Sequence, residues 1–192
     1  MNFLAHLHLC QHLSTMEAAG NLAADVCKTE GNEAFRRGVM VHRRIDAFTD
    51  THELTAKARA LFPGSYRRFG GVLSDLMFDH CLARGWESWS NHETVGSFVK
   101  PQLALMLGES DSLPKDATLV ITRMQRGQWL QSYESIGGVR VAIERMATRR
   151  PVATGMLGAE TVMRERSEEF FSLFQAFYPQ LKSHVREELS IA

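Results

Sequence analysis

Three observations predict an all-α protein across the 192 residues of the chain. Apolar residues recur at the three- and four-residue spacing of amphipathic helices. Capping signatures stand at the heads of several such runs. The β-branched alternation of strands is nearly absent, its best instance being the short TLVIT run at 118–122.

The elements follow in order. Ser14 with Glu17 three residues later is a capping box, and it opens a helix expected to reach about residue 28. Asn32 caps a second helix over 33–49. Asp50 and Glu53 repeat the box and open a shorter helix that Pro63 and Gly64 stop. Ser65 begins the next, to about Trp86, with Val72, Leu73, Leu76 and Met77 as its core stripe. Gly70 and Gly71 inside it permit close helix packing. Another helix spans 91–108, with Pro101 as a kink or break. Helices over 116–126, over 138–148 and from Ala159 onward complete the set, with Pro179 dividing the last. No repeat, low-complexity run or linker interrupts the pattern, so 1–192 reads as one helical bundle domain. Its weakest joints are expected at 108–114 and 149–158.

Composition excludes several classes. Formal net charge is zero, so no whole-molecule field draws nucleic acid or membrane. Locally the balance differs: residues 36–68 carry eight basic side chains against three acidic, and residues 123–150 carry six against two. Two such segments suit an anionic substrate or an acidic partner. Three cysteines with no CxxC spacing argue against a disulfide framework or a zinc ribbon and fit a reducing compartment. No basic leader precedes an apolar core, and no apolar run reaches the roughly 20 residues of a membrane span, so a cytoplasmic protein is expected. A glycine-rich phosphate loop, a GxSxG elbow and basic–aromatic interleaving are all missing.

The chemistry concentrates in the first half. In GVMVHRRIDAFTD, His42, Asp46 and Asp50 are spaced by four, so the three side chains leave one helix face. One imidazole and two carboxylates suit a divalent cation. Arg43 and Arg44 beside them suit a phosphate. The same grammar recurs in Asn21 and Asp25 of GNLAADV, and in Asp75, Asp79 and His80 of SDLMFDHCLARGW. Carboxylates this deep in apolar segments need a cation or several donors, with arginine pairing the alternative for Asp75. His6 and His8 in MNFLAHLHL are two apart and diverge by about 200° on a helix, so only one faces a shared site. Asp50 and His52 also suit the cap of the following helix. The second half, rich in Phe, Met, Leu and Arg, reads as packing and partner surface.

MNFLAHLHL, GNLAADV, HRRIDAFTD and SDLMFDHCLARGW, in that order over about the first ninety residues, resemble the acyl carrier protein phosphodiesterase family. That family is similar to the HD phosphohydrolases, although this chain has only the reversed pair Asp79-His80. The resemblance implies a helical, divalent-metal-dependent enzyme, with Mn²⁺ favoured over Mg²⁺ and one or two ions held. Its expected reaction removes the 4′-phosphopantetheine arm from the serine of holo acyl carrier protein. The resulting expectation places metal among Asp25, His42, Asp46, Asp79 and His80. Arg43 or Arg44 then neutralises charge on the phosphate, and His6 protonates the leaving serine oxygen. Two other readings fit the residues: an HD-like phosphohydrolase of small nucleotides, and a non-enzymatic helical interaction module.

Overall fold

The computed structural model describes residues 1–190, with side chains through 187. In chain order the helices are α1 (Phe3–Leu9), α2 (Thr15–Ala23), α3 (Glu33–Thr51), α4 (Glu53–Ala60), α5 (Gly70–Arg84), α6 (Trp86–Trp89), α7 (Val95–Gly108), α8 (Lys115–Arg126), α9 (Trp129–Ser132), α10 (Ile136–Arg149), α11 (Ala159–Glu165) and α12 (Ser167–Ser190). Short 3-10 turns occupy Gly64–Phe69, Ser110–Ser112 and Pro151–Met156. The described residues contain no strand. TLVIT lies in α8, where Val120 and Ile121 are buried and Leu119 faces solvent, a helical period rather than an alternation.

Helix α5 lies at the centre because it has almost no polar face to give to water. From Leu73 to Ala83 only Asp75 is not fully buried. Val72, expected in its core stripe, is instead exposed. Helix α12 packs on α3, α4 and α5. It presents Phe170, Phe174, Phe177, Tyr178, Leu181 and Val185, all buried, at helical spacing. Pro179 does not divide α12, and Pro101 does not break α7. Pro179 is exposed and flanked by that aromatic stripe, whose burial outweighs one missing backbone bond. The break falls earlier, at Arg166, whose guanidinium pairs with Glu169 and donates to the Leu61 carbonyl at 3.0 Å.

Capping residues act as the pattern predicts at Ser14, which forms the reciprocal box with Glu17, and at Asn32, whose Oδ1 accepts from the Phe35 N–H at 2.9 Å. Two boundaries differ. Helix α3 runs through Asp50, which pairs with Arg59 at 2.6 Å, and His52 caps α4 through Nδ1. Helix α2 stops at Ala23 rather than near residue 28, because the Lys28 and Thr29 N–H groups turn away to the Asp116 carboxylate at 2.6 and 3.1 Å.

The contact that builds the site is α2 against α3. Gly20 lies against the Phe35 carbonyl and Gly38 against the Glu17 carbonyl, each too close for a Cβ to fit between. Gly70 is in closer quarters than Gly71, a Cβ there meeting the Arg59 carbonyl at 3.1 Å, whereas Gly71 faces open space. None of the described helices is long and apolar enough to cross a membrane.

Candidate metal centre and the cleft beside it

The glycine-lined approach sets Asn21 of α2 beside His42 of α3, and α1 brings His6 to the same place. Asn21, fully buried, governs both rings. His6 Nδ1 donates to Asn21 Oδ1 at 2.9 Å, and His42 Nδ1 donates to the Asn21 main-chain carbonyl at 2.9 Å. The Asn21 amide nitrogen is in turn directed at the Cys10 sulfur. A ring nitrogen that donates to a carbonyl carries the hydrogen, so in each neutral imidazole Nε2 is the bare lone pair. Those lone pairs converge on carboxylates. His6 Nε2 is 3.1 Å from Asp46 Oδ1; His42 Nε2 is 3.0 Å from Asp46 Oδ2 and 3.2 Å from Asp25 Oδ1. Among the described residues, His6, His42 and Asp46 form a set whose ligand atoms all lie within 4.8 Å of one another.

Two lone pairs aimed at carboxylate oxygens repel them unless positive charge lies between. Without a metal that charge is a proton on His42. Burial opposes it, but hydrogen bonds to Asp25 and Asp46 outweigh burial and lift the His42 pKa to about 9. The rings of His6 and His42 stack with centroids 4.1 Å apart, which disfavours protonating both. Burial indeed lowers the His6 pKa, with Asp46 opposing. Burial works against Asp46 ionising, yet the bonds from His42 and His6 hold its carboxyl well below the ordinary range. Asp25 is also lowered, chiefly by its bond to His42. Two imidazole nitrogens and two carboxylates, with each ring oriented from behind by Asn21, fit a divalent ion of the Mn²⁺, Mg²⁺ or Zn²⁺ size class.

The structure distributes the expected residues unevenly. His6, Asp25, His42 and Asp46 come together. Asp25 does so from the turn after α2, not from one helix face shared with Asn21. Asp79 is fully buried, and its two oxygens accept from the Leu4 and Ala5 N–H groups at 2.7 and 3.1 Å. It therefore anchors the head of α1, the helix that carries His6. Burial outweighs those bonds and pushes its carboxyl up to about 7. His80 Nδ1 donates to the Tyr133 carbonyl at 2.7 Å. Asp75 pairs with the Met1 amino group at 3.2 Å rather than with an arginine, and that amino group lies 3.7 Å from Asp46 Oδ1. Arg43 and Arg44 are exposed on α3 while His42 and Ile45 turn inward. His8, diverging from His6 as a helix requires, bonds the Tyr178 hydroxyl at 2.7 Å in the core. His52 and His184 are half-buried, each packed against Phe48.

A cleft of about 560 Å³ opens beside this group. Asp25, Asp75 and Met1 border it at the end next to His42 and Asp46. Leu76, Ala142, Met146 and Met156 are among its apolar walls. Arg145, Arg149 and Trp129 also line it, with the two guanidinium groups 4.5 and 5.1 Å from the indole ring centroid. In the sequence these residues fall in the half that reads as packing and partner surface. The excess of arginine in 123–150 is their one visible signal in the sequence, and it gives no hint that they share a cleft with Asp25 and Met1, which contact His42 and Asp46.

Known proteins resemble this chain along its length. The acyl carrier protein phosphodiesterase family model matches residues 1–181. A Yersinia enterocolitica acyl carrier protein phosphodiesterase is 30% identical over 192 residues, covering 98% of this chain and 99% of that protein. An Escherichia coli protein of the same name is 32% identical over 188 residues, covering 94% of this chain and 95% of its own length. A Photorhabdus laumondii homologue of the same name is 30% identical over 185 residues, covering 94% of this chain and 93% of its own. No solved structure matches the chain. With a family match and full-length relatives that agree in name, the chain belongs to the acyl carrier protein phosphodiesterase family.

Proposed function

We propose that this protein hydrolyses the phosphodiester joining 4′-phosphopantetheine to the serine of holo acyl carrier protein. Water adds to phosphorus, the bond from phosphorus to the serine oxygen breaks, and the serine oxygen takes a proton from the water consumed. The products are apo acyl carrier protein and 4′-phosphopantetheine. The observation that carries the reading is the convergence of His6, His42, Asp46 and Asp25 in a member of this family.

In this reading His6 and His42 offer Nε2, and Asp46 and Asp25 offer carboxylate oxygens, to Mn²⁺ or Mg²⁺. When bound, such an ion neutralises charge on the phosphoryl oxygens and lowers the pKa of a coordinated water. Asn21 holds both imidazoles in the tautomer that leaves Nε2 free. Asp79 fixes α1 and so the height of His6. His80 ties α5 to the Tyr133 carbonyl and shapes the cleft wall. Asp79 and His80 thus support the centre from behind, and His6, first expected as a proton donor, joins the ligand set. The acidic carrier protein approaches the exposed arginines around the cleft mouth.

The direct test is turnover of holo acyl carrier protein in ¹⁸O water with Mn²⁺ present. The label is expected in the phosphate of 4′-phosphopantetheine, with an unmodified serine on the protein. Chelation should silence the enzyme and Mn²⁺ restore it; full activity in a His42→Ala, Asp46→Ala double variant would sink the metal assignment. Faster hydrolysis of free nucleotides than of holo carrier protein would favour the nucleotide phosphohydrolase reading instead.

A further inference from the structure

We infer that the cleft between α5 and α10 is the seat of the 4′-phosphopantetheine arm, with Arg145 recognising its phosphate. The inference rests on the reaction proposed above and adds where the arm lies and which residue selects it.

The cleft has the size of a small-molecule site, within the roughly 300–1,000 Å³ such sites span. It also has the right polarity. A phosphopantetheine arm is an anionic phosphate followed by a dimethyl-substituted, amide-linked and finally thiol-bearing chain. The cleft offers the carboxylates of Asp25 and Asp75, Asp25 being in contact with His42, together with apolar walls from Leu76, Ala142, Met146 and Met156. Arg145 is the cation best placed to read the phosphate. It is half-buried and stacked on Trp129, and among the described residues no carboxylate pairs with it. Among the described residues its hydrogen bond goes from Nε to the Val141 carbonyl at 3.3 Å, which leaves the two terminal nitrogens of the guanidinium for an anion.

Position supports the pairing. Tyr133, which shares the cleft wall with Arg145, accepts through its hydroxyl from the Asn2 side chain at 2.9 Å. Asn2 follows Met1, whose amino group is 3.7 Å from Asp46. Residues 1–2, which line the cleft, thus touch the candidate metal centre through the Met1 amino group and the Tyr133 hydroxyl through Asn2. A half-buried cation with no acidic partner is poorly solvated: burial lowers the Arg145 pKa, with Tyr133 opposing and Arg149 adding to the fall. A bound phosphate relieves that condition. A neutral ligand does not, and the apolar walls of Leu76, Ala142, Met146 and Met156 suit the flexible chain of the arm.

Calorimetry on the full chain with Mn²⁺ present tests the assignment with three probes: 4′-phosphopantetheine, pantetheine and adenosine monophosphate. Wild type should bind 4′-phosphopantetheine most tightly. Arg145→Met, which keeps the stem packed on Trp129, should weaken 4′-phosphopantetheine at least about tenfold, the worth of one charge-assisted contact, and leave pantetheine within about twofold. Val152 lines the cleft and is 67% exposed, so Val152→Trp should fold normally. It should weaken both arm-bearing probes and raise KM for holo carrier protein. Unchanged 4′-phosphopantetheine affinity in both variants overturns the inference, as does equal binding of adenosine monophosphate. If wild type fails to hydrolyse holo carrier protein, the reaction is wrong, while the calorimetry still reads the cleft.

Discussion

Asn21 holds no candidate ligand atom and yet decides what two ligands present. Its side-chain and main-chain carbonyls take the Nδ1 hydrogens of His6 and His42, so the free nitrogens of both rings point the same way. Asn21→Ala removes the His6 partner and should lower Mn²⁺ affinity about 10- to 100-fold with the helical circular dichroism retained; titration calorimetry reads this directly. His42 carries the pH dependence. In metal-free protein its pKa of about 9 is above the unfolded value of 6.5, so its stabilisation is complete below about pH 6.5 and is lost as pH rises through about 9. Urea midpoints of chelated protein should therefore fall between pH 6.5 and 9.5 and change much less in His42→Gln. Because ligation needs the neutral ring, Mn²⁺ uptake near pH 7 should release close to one proton, measurable from the heat difference between buffers of unlike ionisation enthalpy.

At the scale of the element, α2 and α3 form a pair whose spacing is set by two glycines. A methyl at Gly20 would strike the Phe35 carbonyl, and one at Gly38 the Glu17 carbonyl, both backbone atoms that cannot rotate aside. Alanine has the better helix propensity, by about 1 kcal/mol, but here the overpacking cost of about 1–3 kcal/mol should win. Gly20→Ala and Gly38→Ala should each lower the urea midpoint and weaken Mn²⁺ binding, because they move Asn21 away from His42. Gly71→Ala is the control: nothing lies within 4 Å of its Cβ position, so it should be neutral or mildly stabilising. If the two alanine variants match that control in both stability and metal affinity, the close approach does not set the site.

Over the whole molecule, the basic excess of 36–68 is partly consumed within the fold. Arg37 pairs with Glu17 and Glu33, Lys57 with Glu53, and Arg59 with Asp50. Exposed Arg67 and Arg68 sit in the 3-10 turn that ends at Phe69, a residue of the cleft, and Arg149 and Arg150 line the same cleft. The docking face for an acidic carrier protein is therefore expected to surround this mouth. Arg67→Glu with Arg68→Glu should raise KM for holo carrier protein with little change in kcat, since charges at a rim mainly steer encounter. Wild-type kcat/KM should fall as salt rises; a flat profile from low to physiological salt would contradict electrostatic docking.

What the chain alone made legible was everything governed by local periodicity. Helical spacing put His42 and Asp46 on one face, separated His6 from His8, and named Ser14 and Asn32 as caps, because those geometries depend on a few adjacent residues and on 3.6 residues per turn. Pairings between distant segments were not legible. Asp79 and His80 look like ligands in sequence, but in the fold Asp79 accepts from the head of α1 and His80 donates to a carbonyl between α9 and α10. Asp116 ended α2 early from 88 residues away in the chain, which put Asp25 on a turn. Arg145 faces the cleft only because α10 packs beside α5. A buried donor or acceptor must be satisfied by whatever the fold brings near it, and that neighbour is chosen by packing between helices, which no local spacing encodes.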